Sequence, residues 1–314
     1  MVMTTSTVSA GPMTYYKRRS QSWRRSRLFL DKIGTREKLD RYSGQTLSTW
    51  RPVPAAVQTT ALTEGTAPAD ITIATSTYTT TLQQWGAFVK ISDLLEITGR
   101  SSMMDVCSKI LGYNCAQTID TVTLNVMLSS WTDIYVNNKT SATINAGDTM
   151  TAQQLRRMRK LFAAKNVAND DTNLYNLVLH PDVFYDLSID DKVGSTLDVA
   201  RRSVSGGDSQ GIWNGEVTRF AGFRIMESAN IPYTQSQSGV TVYQNVVAGA
   251  DALLNVDTEN MGFQLFAVPA SEVNQANPLA QIGTVGWKAT YAACDISDGV
   301  MGYIMESAVS EITY

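Results

Sequence analysis

Histidine is almost missing from this chain. The one residue of that type, His180, removes most general acid/base, catalytic-triad and metal-site readings, because imidazole is the side chain that titrates near neutrality. Standing before Pro181, it reads as a cap at a strand end. Cysteine is scarce as well: Cys107, Cys115 and Cys294 are too few and too unevenly placed for a disulfide scaffold or a zinc site. They point to reduced thiols in a cytosolic setting. Charged residues reach only 18%, with Thr, Ser, Asn and Gln filling the polar balance, a composition that suits large uncharged subunit contacts. No apolar run approaches the roughly 18–20 residues of a membrane span, and the N-terminus lacks the apolar core of a signal peptide. The expectation is a soluble chain that is not conventionally secreted.

Other chemistry is missing too. Gly206-Gly207-Asp208-Ser209 is no phosphate cradle, since no Gly-Lys-Ser/Thr ending follows and no strand leads into it. The carboxylate clusters at Asp170-Asp171, Asp190-Asp191 and Asp295 with Asp298 lack the spacing of a calcium loop and read as solvated surface. Asp295 and Asp298 are assigned to turn geometry, where aspartate bonds its own backbone. No catalytic, cofactor-binding or metal-ligating set emerges, and the expectation is a protein that is not an enzyme.

What is there is a polar ribbon between Leu62 and Ser92. Ile71, Ile73, Thr75, Thr77, Thr79 and Thr81 alternate onto one face of a strand, and the other face, which includes Tyr78, is scarcely more apolar. With Gly65 and Pro68 near its tip, the segment suits a long hairpin whose sides are covered by a neighbour. Leu62, Glu64, Gly65, Ile71, Ile73 and Tyr78 are its candidate inter-subunit residues. Trp50-Arg51-Pro52-Val53-Pro54 breaks any helix, and the ribbon is expected to begin after it.

Charge is uneven along the chain. Between Lys17 and Arg51, eleven basic residues face three acidic ones, a segment charge of +8 in a chain of net −3, which leaves −11 elsewhere. A basic arm that includes Lys17, Arg18, Arg19, Arg24, Arg25 and Arg27 can neutralise phosphates without reading bases, or can lie across the acidic flank of another copy. Both readings stand. Residues 1–14 are uncharged and Ser/Thr-rich, a composition expected to order only when neighbouring subunits hold it.

Further along, Gln83–Ile91 is a strand running into a helix start at Ser92-Asp93, and Gly99 divides a short helix from one over about Ser102–Leu128. Met104, Cys107, Leu111, Cys115, Ile119 and Val122, spaced by three and four, predict its buried stripe. Thr151 with Gln154 reads as a capping box for a helix with Leu155, Met158, Leu161 and Phe162 inward and Arg156, Arg157, Arg159 and Lys160 outward. Leu174–Leu179 is a buried strand, followed by a helix entered through Pro181. Gly194–Trp213 reads as a loop, Gly215–Glu227 as a hairpin turning at Ala221-Gly222, Val240–Val247 as a strand and Gly249–Leu254 as a short helix. Two last strands, Gly286–Cys294 and Gly299–Ser307, are expected to pair antiparallel.

The order of these pieces resembles the major capsid proteins of tailed bacteriophages with the Hong Kong 97-type fold, in the branch shared by many podoviruses and siphoviruses. Leu62-Thr63-Glu64-Gly65, Trp85-Gly86-Ala87-Phe88-Val89-Lys90-Ile91-Ser92-Asp93 and Ala116-Gln117-Thr118-Ile119-Asp120 carry the likeness. So do Leu179-His180-Pro181-Asp182, Gly215-Glu216 through Gly222-Phe223-Arg224, and Ile282-Gly283-Thr284-Val285-Gly286-Trp287-Lys288. The resemblance implies an α+β chain with an N-terminal arm over 1–49, an extended hairpin loop over 50–92 and a peripheral domain with its spine helix over 93–148. An axial domain over 149–272 and returning peripheral strands over 273–314 complete the implied plan.

The implied function is a capsid subunit, forming pentamers and hexamers of an icosahedral head around double-stranded DNA. Implied partners are copies of itself, a scaffolding protein, a portal at one vertex, a decoration protein and the packaged genome, with no membrane and no cofactor. Because only a short arm precedes the hairpin, scaffolding is expected as a separate protein. No covalent crosslink is carried over, so stability is expected from noncovalent interfaces of a few thousand Å². Localisation follows as the virion, assembled in the host cytoplasm. The alternatives are a nucleic-acid-binding oligomer acting through its basic arm, which loss of residues 1–49 would inactivate outright, and a Thr-rich surface adhesin.

Overall fold

The computed structural model of the chain describes residues 2–3, 30–40, 42–53, 55–62, 64–65, 70–99, 102–169, 174–190, 219–236, 239–258, 263–271 and 277–310. Lys17, Arg18, Arg19, Arg24, Arg25 and Arg27, most of the 1–14 segment and the Gly194–Trp213 loop lie outside the described residues.

A long helix joins two sheets. Ser92 caps the short helix α1 (Asp93–Thr98) through its hydroxyl, and Ser102 caps α2 (Met103–Ser130) in the same way. At 1.5 Å per residue α2 is about 42 Å long. No helix among the described residues is long and apolar enough to cross a membrane.

The N-terminal half of α2 buries Cys107, Leu111 and Cys115 against Ile91, Val285 and Trp287 of the first sheet. Its C-terminal half buries Leu124 and Met127 against Val178, Val246 and Ile304 of the second. The buried stripe therefore departs from the expected one after Cys115. Met104, Ile119 and Val122 are only half-buried, while Asp120, Thr123, Leu124 and Met127 turn inward. A helix of 3.6 residues per turn drifts around a straight seam, and the second sheet meets a different flank from the first.

The first sheet contains β1 (Val2–Met3), β2 (Thr35–Leu39), β5 (Gln83–Ser92), β12 (Leu253–Thr258), β13 (Phe263–Val268) and β14 (Ile282–Asp295). Its order is β1-β5-β14-β12-β2, with β13 also on β14. The second contains β6 (Thr132–Tyr135), β7 (Tyr175–Leu179), β8 (Arg219–Phe220), β9 (Phe223–Glu227), β10 (Tyr233–Gln235), β11 (Thr241–Ala248) and β15 (Gly302–Ala308), in the order β6-β15-β11-β7-β9-β8 with β10 on β11. One face of this sheet carries α3 (Ala152–Ala164) and α4 (Pro181–Ile189). Leu155, Met158, Phe162, Val183 and Leu187 pack there with Leu177, Val247, Tyr303 and Met305. The other face carries the end of α2.

Several expectations are corrected. The last two strands do not pair with each other: β14 has β5 along one edge and β12 and β13 along the other, so no edge remains, and β15 instead lies between β11 and β6. A turn through Asp298 and Gly299, both at positive φ, carries the chain from one sheet to the other. The strands at 253–258 and 263–268 thus join the first sheet and 302–308 the second. Gly249–Leu254 is not a helix: a turn with Asp251 at φ 50 leads into β12, which begins at Leu253; the apolar start of that strand is buried on both faces, as a central strand requires. The capping box is not made, because Gln154 donates to Asn137 Oδ1 at 2.7 Å and Thr151 forms no side-chain cap bond. Ahead of the ribbon, Leu30, Ile33 and Leu39 are buried and β2 pairs with β12.

Candidate assembly surfaces

Alternation of Thr and Ser with larger residues makes a two-stranded ribbon from β3 (Thr46–Pro52) and β4 (Thr75–Thr81), antiparallel from Thr46↔Thr81 to Pro52↔Thr75. It starts before the Trp50–Pro54 break. Pro52 is accommodated as the last residue of its strand, where a missing donor disturbs the ladder least, and one further bond, Val53 N to Ala74 O at 2.9 Å, closes the pair.

The two faces of the ribbon differ. Leu47, Thr49, Arg51, Ser76, Tyr78 and Thr80 are half-buried, whereas Thr46, Ser48, Trp50, Thr75, Thr77 and Thr79 are exposed. The half-buried face rests on the chain's own body. Arg51 Nη1 donates to Ile296 O at 2.8 Å and lies 3.9 Å from Asp298 Oδ2, and the Tyr78 hydroxyl donates to Asp298. Burial, followed by that hydrogen bond and the Asp298 charge, raises the Tyr78 pKa. The base of the ribbon is therefore fastened to the turn that links the two sheets, a contact that sequence spacing gave no sign of.

Beyond Val53 the fastening ends. Leu62 is 76% and Ile73 70% exposed, Ile71 and Val57 are exposed, and so are Glu64 and Gly65. Ile71 and Ile73, expected inside the strand, precede its first residue, Thr75. Gly65 holds φ +79 in a turn, a conformation glycine adopts without a Cβ penalty. Among the described residues, the tip thus presents exposed apolar side chains.

A second exposed apolar surface lies on the first sheet. Phe88 of β5 is 66% and Phe266 of β13 51% exposed in one cross-strand row, whereas Phe263 and Leu265, also exposed, alternate onto the opposite face of β13. Sequence reading missed this surface; the signal available was Phe88 standing two residues from Gly86 in an alternating strand.

His180 closes the start of α4. Its Nδ1 accepts from Asp182 N at 3.3 Å, its ring stacks on Tyr243 at 4.0 Å, and the Tyr243 hydroxyl donates to Asp182 Oδ2 at 3.0 Å. Burial pushes the imidazole pKa down against the pull of the Asp182 charge. The same burial, with the Asp182 bond, pushes Tyr243 up to about 12. This is a helix cap. Among the described residues no cluster of three His, Cys, Asp or Glu is placed to hold a metal.

The whole arrangement has counterparts. The capsid of Ralstonia phage GP4 superposes with a TM-score of 0.74 at 12% identity, covering 97% of this chain and 98% of that one. The cyanophage Pam1 capsid superposes at 0.73 and 12%, over 97% and 98%. The capsid of cyanophage P-SCSP1u superposes at 0.66 and 15%, over 95% and 93%. A comparison with characterised protein sequences finds no match. The fold is that of a Hong Kong 97-like capsid subunit, a mixed helix-and-sheet chain. The family profile described as phage capsid protein matches residues 75–298, from the second ribbon strand to the inter-sheet turn, and the chain belongs to that family.

Proposed function

We propose that the chain is the major capsid protein of a tailed double-stranded DNA phage, assembling as pentamers and hexamers into an icosahedral head. The observation that carries this reading is the ribbon: its base is fastened to the body through Arg51, Tyr78 and Asp298, while its tip holds Leu62, Ile71 and Ile73 out in solvent. An apolar tip that its own chain leaves uncovered is stabilised when another copy covers it. In this reading the first sheet and α2 form the peripheral domain, and the second sheet with α3 and α4 the axial domain at the local symmetry axes. Repeated heterologous contacts around those axes close the shell.

The further partners are a separate scaffolding protein, a portal, a decoration protein and the packaged genome, with assembly in the host cytoplasm. In this reading the basic residues Lys17, Arg18, Arg19, Arg24, Arg25 and Arg27 serve to neutralise DNA phosphates or the acidic flank of a neighbouring subunit. Quantitative mass spectrometry of DNA-filled particles from the phage that encodes the chain is the test. It is expected to be the most abundant head protein, and its absence from those particles would sink the proposal.

A further inference from the structure

A polar cleft between the two sheets gathers positive charge on the side of the molecule that carries α2. Asn176 and Arg224 are cross-strand partners on β7 and β9, and they line the cleft together with Met226. Met226 packs into the core under the end of α2, which fixes the side this alternating set faces. Lys32 and Gly34, where the chain enters β2, and Asp251 of the turn before β12 complete the lining. Gly34 holds φ +87, and a Cβ there would fall 2.1 Å from Leu253 O, so the backbone itself is pressed onto β12. At about 220 Å³ the cleft is smaller than the roughly 300–1,000 Å³ that receives drug-sized ligands. It suits a group the size of a phosphate.

Beyond the cleft the charge continues along β2. Arg36 lies opposite Asn255 and Lys38 opposite Asp257. Asn255 donates to Ile33 O and accepts from the Tyr291 hydroxyl, which bonds Thr123 of α2, so Arg36 and Lys38 also stand on the α2 side. Lys32, Arg36 and Lys38 are exposed and Arg224 is half-buried. Asp251, which takes the Thr35 hydroxyl, half-buried Asp257 and Asp40 past the strand's end offset them in part. The surrounding segment Lys17–Arg51 still carries +8.

Cations recessed between low-dielectric walls attract a polyanion more strongly than cations on an open helix face such as that of Arg156, Arg157 and Lys160. Their spacing suits a regular polyanion. Lys32 to Lys38 spans at most about 20 Å of chain, the axial length of about six phosphates on one DNA strand at ~3.4 Å each. We propose that the cleft between Lys32 and Arg224 seats a backbone phosphate of the packaged DNA, and that Arg36 and Lys38 meet further phosphates of the same strand. Lys32 and Arg224 donate to the phosphate oxygens with full charge, and the Asn176 amide adds a neutral donor. The contact is blind to base sequence. It names a genome contact on the folded body, and it rests on the assembly reading above.

Two measurements on the full chain test it. In assembled particles, lysine acetylation read by mass spectrometry is expected to modify Lys32 and Lys38 roughly fivefold more slowly in DNA-filled particles than in particles emptied of DNA, while Lys160 on α3 reacts alike in both. Fast reaction in both kinds of particle would overturn the proposal. Slow reaction in both would place an acidic segment of a neighbouring subunit in the cleft and overturn the DNA contact. In solution, binding of the unassembled chain to a short DNA duplex is expected to weaken with salt. Lys32→Gln with Arg224→Gln is expected to make the log–log salt slope shallower by about 1.8, at ~0.9 per phosphate. Lys32→Gln with Lys38→Gln, both at exposed positions, is expected to do the same while melting within about 2 °C of the parent, which keeps the test valid if the Arg224 variant unfolds. No salt-dependent binding by the parent, or an unchanged slope in the lysine pair, would overturn the contact and leave the assembly reading intact. Absence of the chain from DNA-filled particles would overturn the assembly reading, and this contact with it.

Discussion

Asp120 is 1% exposed on the inward flank of α2, and its two carboxylate oxygens are both engaged. Oδ1 accepts from Leu30 N at 2.9 Å and Oδ2 from the Asn230 side chain at 2.9 Å. One residue thereby ties the segment entering β2 and the segment leaving β9 to the long helix. Asp120→Ala strands a buried backbone donor as well as removing a charge-assisted pair, so a loss of about 2–4 kcal/mol is expected, read as a lower denaturant midpoint. In the sequence this position looks like a polar break beside Ile119. Its role was illegible because both partners are remote along the chain, whereas the neighbouring apolar spacing is local and was read as far as Cys115. Glu306 has a different lesson. Burial raises its carboxyl above the ordinary 4.5, the Gln244 hydrogen bond opposes the shift and the Asp133 charge adds to it. A carboxyl with a raised folded-state pKa holds its proton more tightly in the folded chain. Its contribution is therefore fully present below pH 4.5 and is lost as pH rises through the folded-state value. Glu306→Gln is expected to melt higher than the parent at about pH 7 and level with it near pH 4, which thermal scans at the two values measure.

At the scale of elements, local chemistry was the readable part. Ser92 and Ser102 announced two helix starts that the structure shows capped, and Ala221-Gly222 announced a tight turn that joins β8 to β9 with both residues at positive φ. The Thr151–Gln154 signature was equally strong and was overridden, because Asn137 engages Gln154 from outside the helix. For the ribbon, alternation was legible while the position of its first strand was not, since Trp50–Pro52 forms strand only by pairing with Thr75–Thr77. Gly65→Pro and Ile73→Asp test the tip as an assembly element. Proline cannot adopt φ +79, and neither site is packed against the body. Both variants are expected to express and melt like the parent, and to sediment as unassembled protein. Normal particles from both would remove the tip from assembly.

Across the whole molecule, α2 couples the two sheets, and the turn at 295–301 couples both to the base of the ribbon through Arg51 and Tyr78. In the proposed assembly, a change of angle between the sheets would reach the ribbon through these contacts, a means for one chain to fit both fivefold and sixfold surroundings. Partition of the last two strands between sheets was beyond sequence reading: each looks like half of a hairpin, and only the filled edges of β14 send β15 elsewhere. The family likeness was legible for another reason, the order of several motifs along the chain, most of them within the residues 75–298 that the family profile matches. The most direct measurement is electron microscopy of particles formed by the full chain together with its native assembly partners. The account predicts closed polyhedral shells of pentamers and hexamers in which each ribbon tip lies over an adjacent copy; a uniform population of monomers at high concentration, each with residues 53–74 folded against its own body, would contradict it.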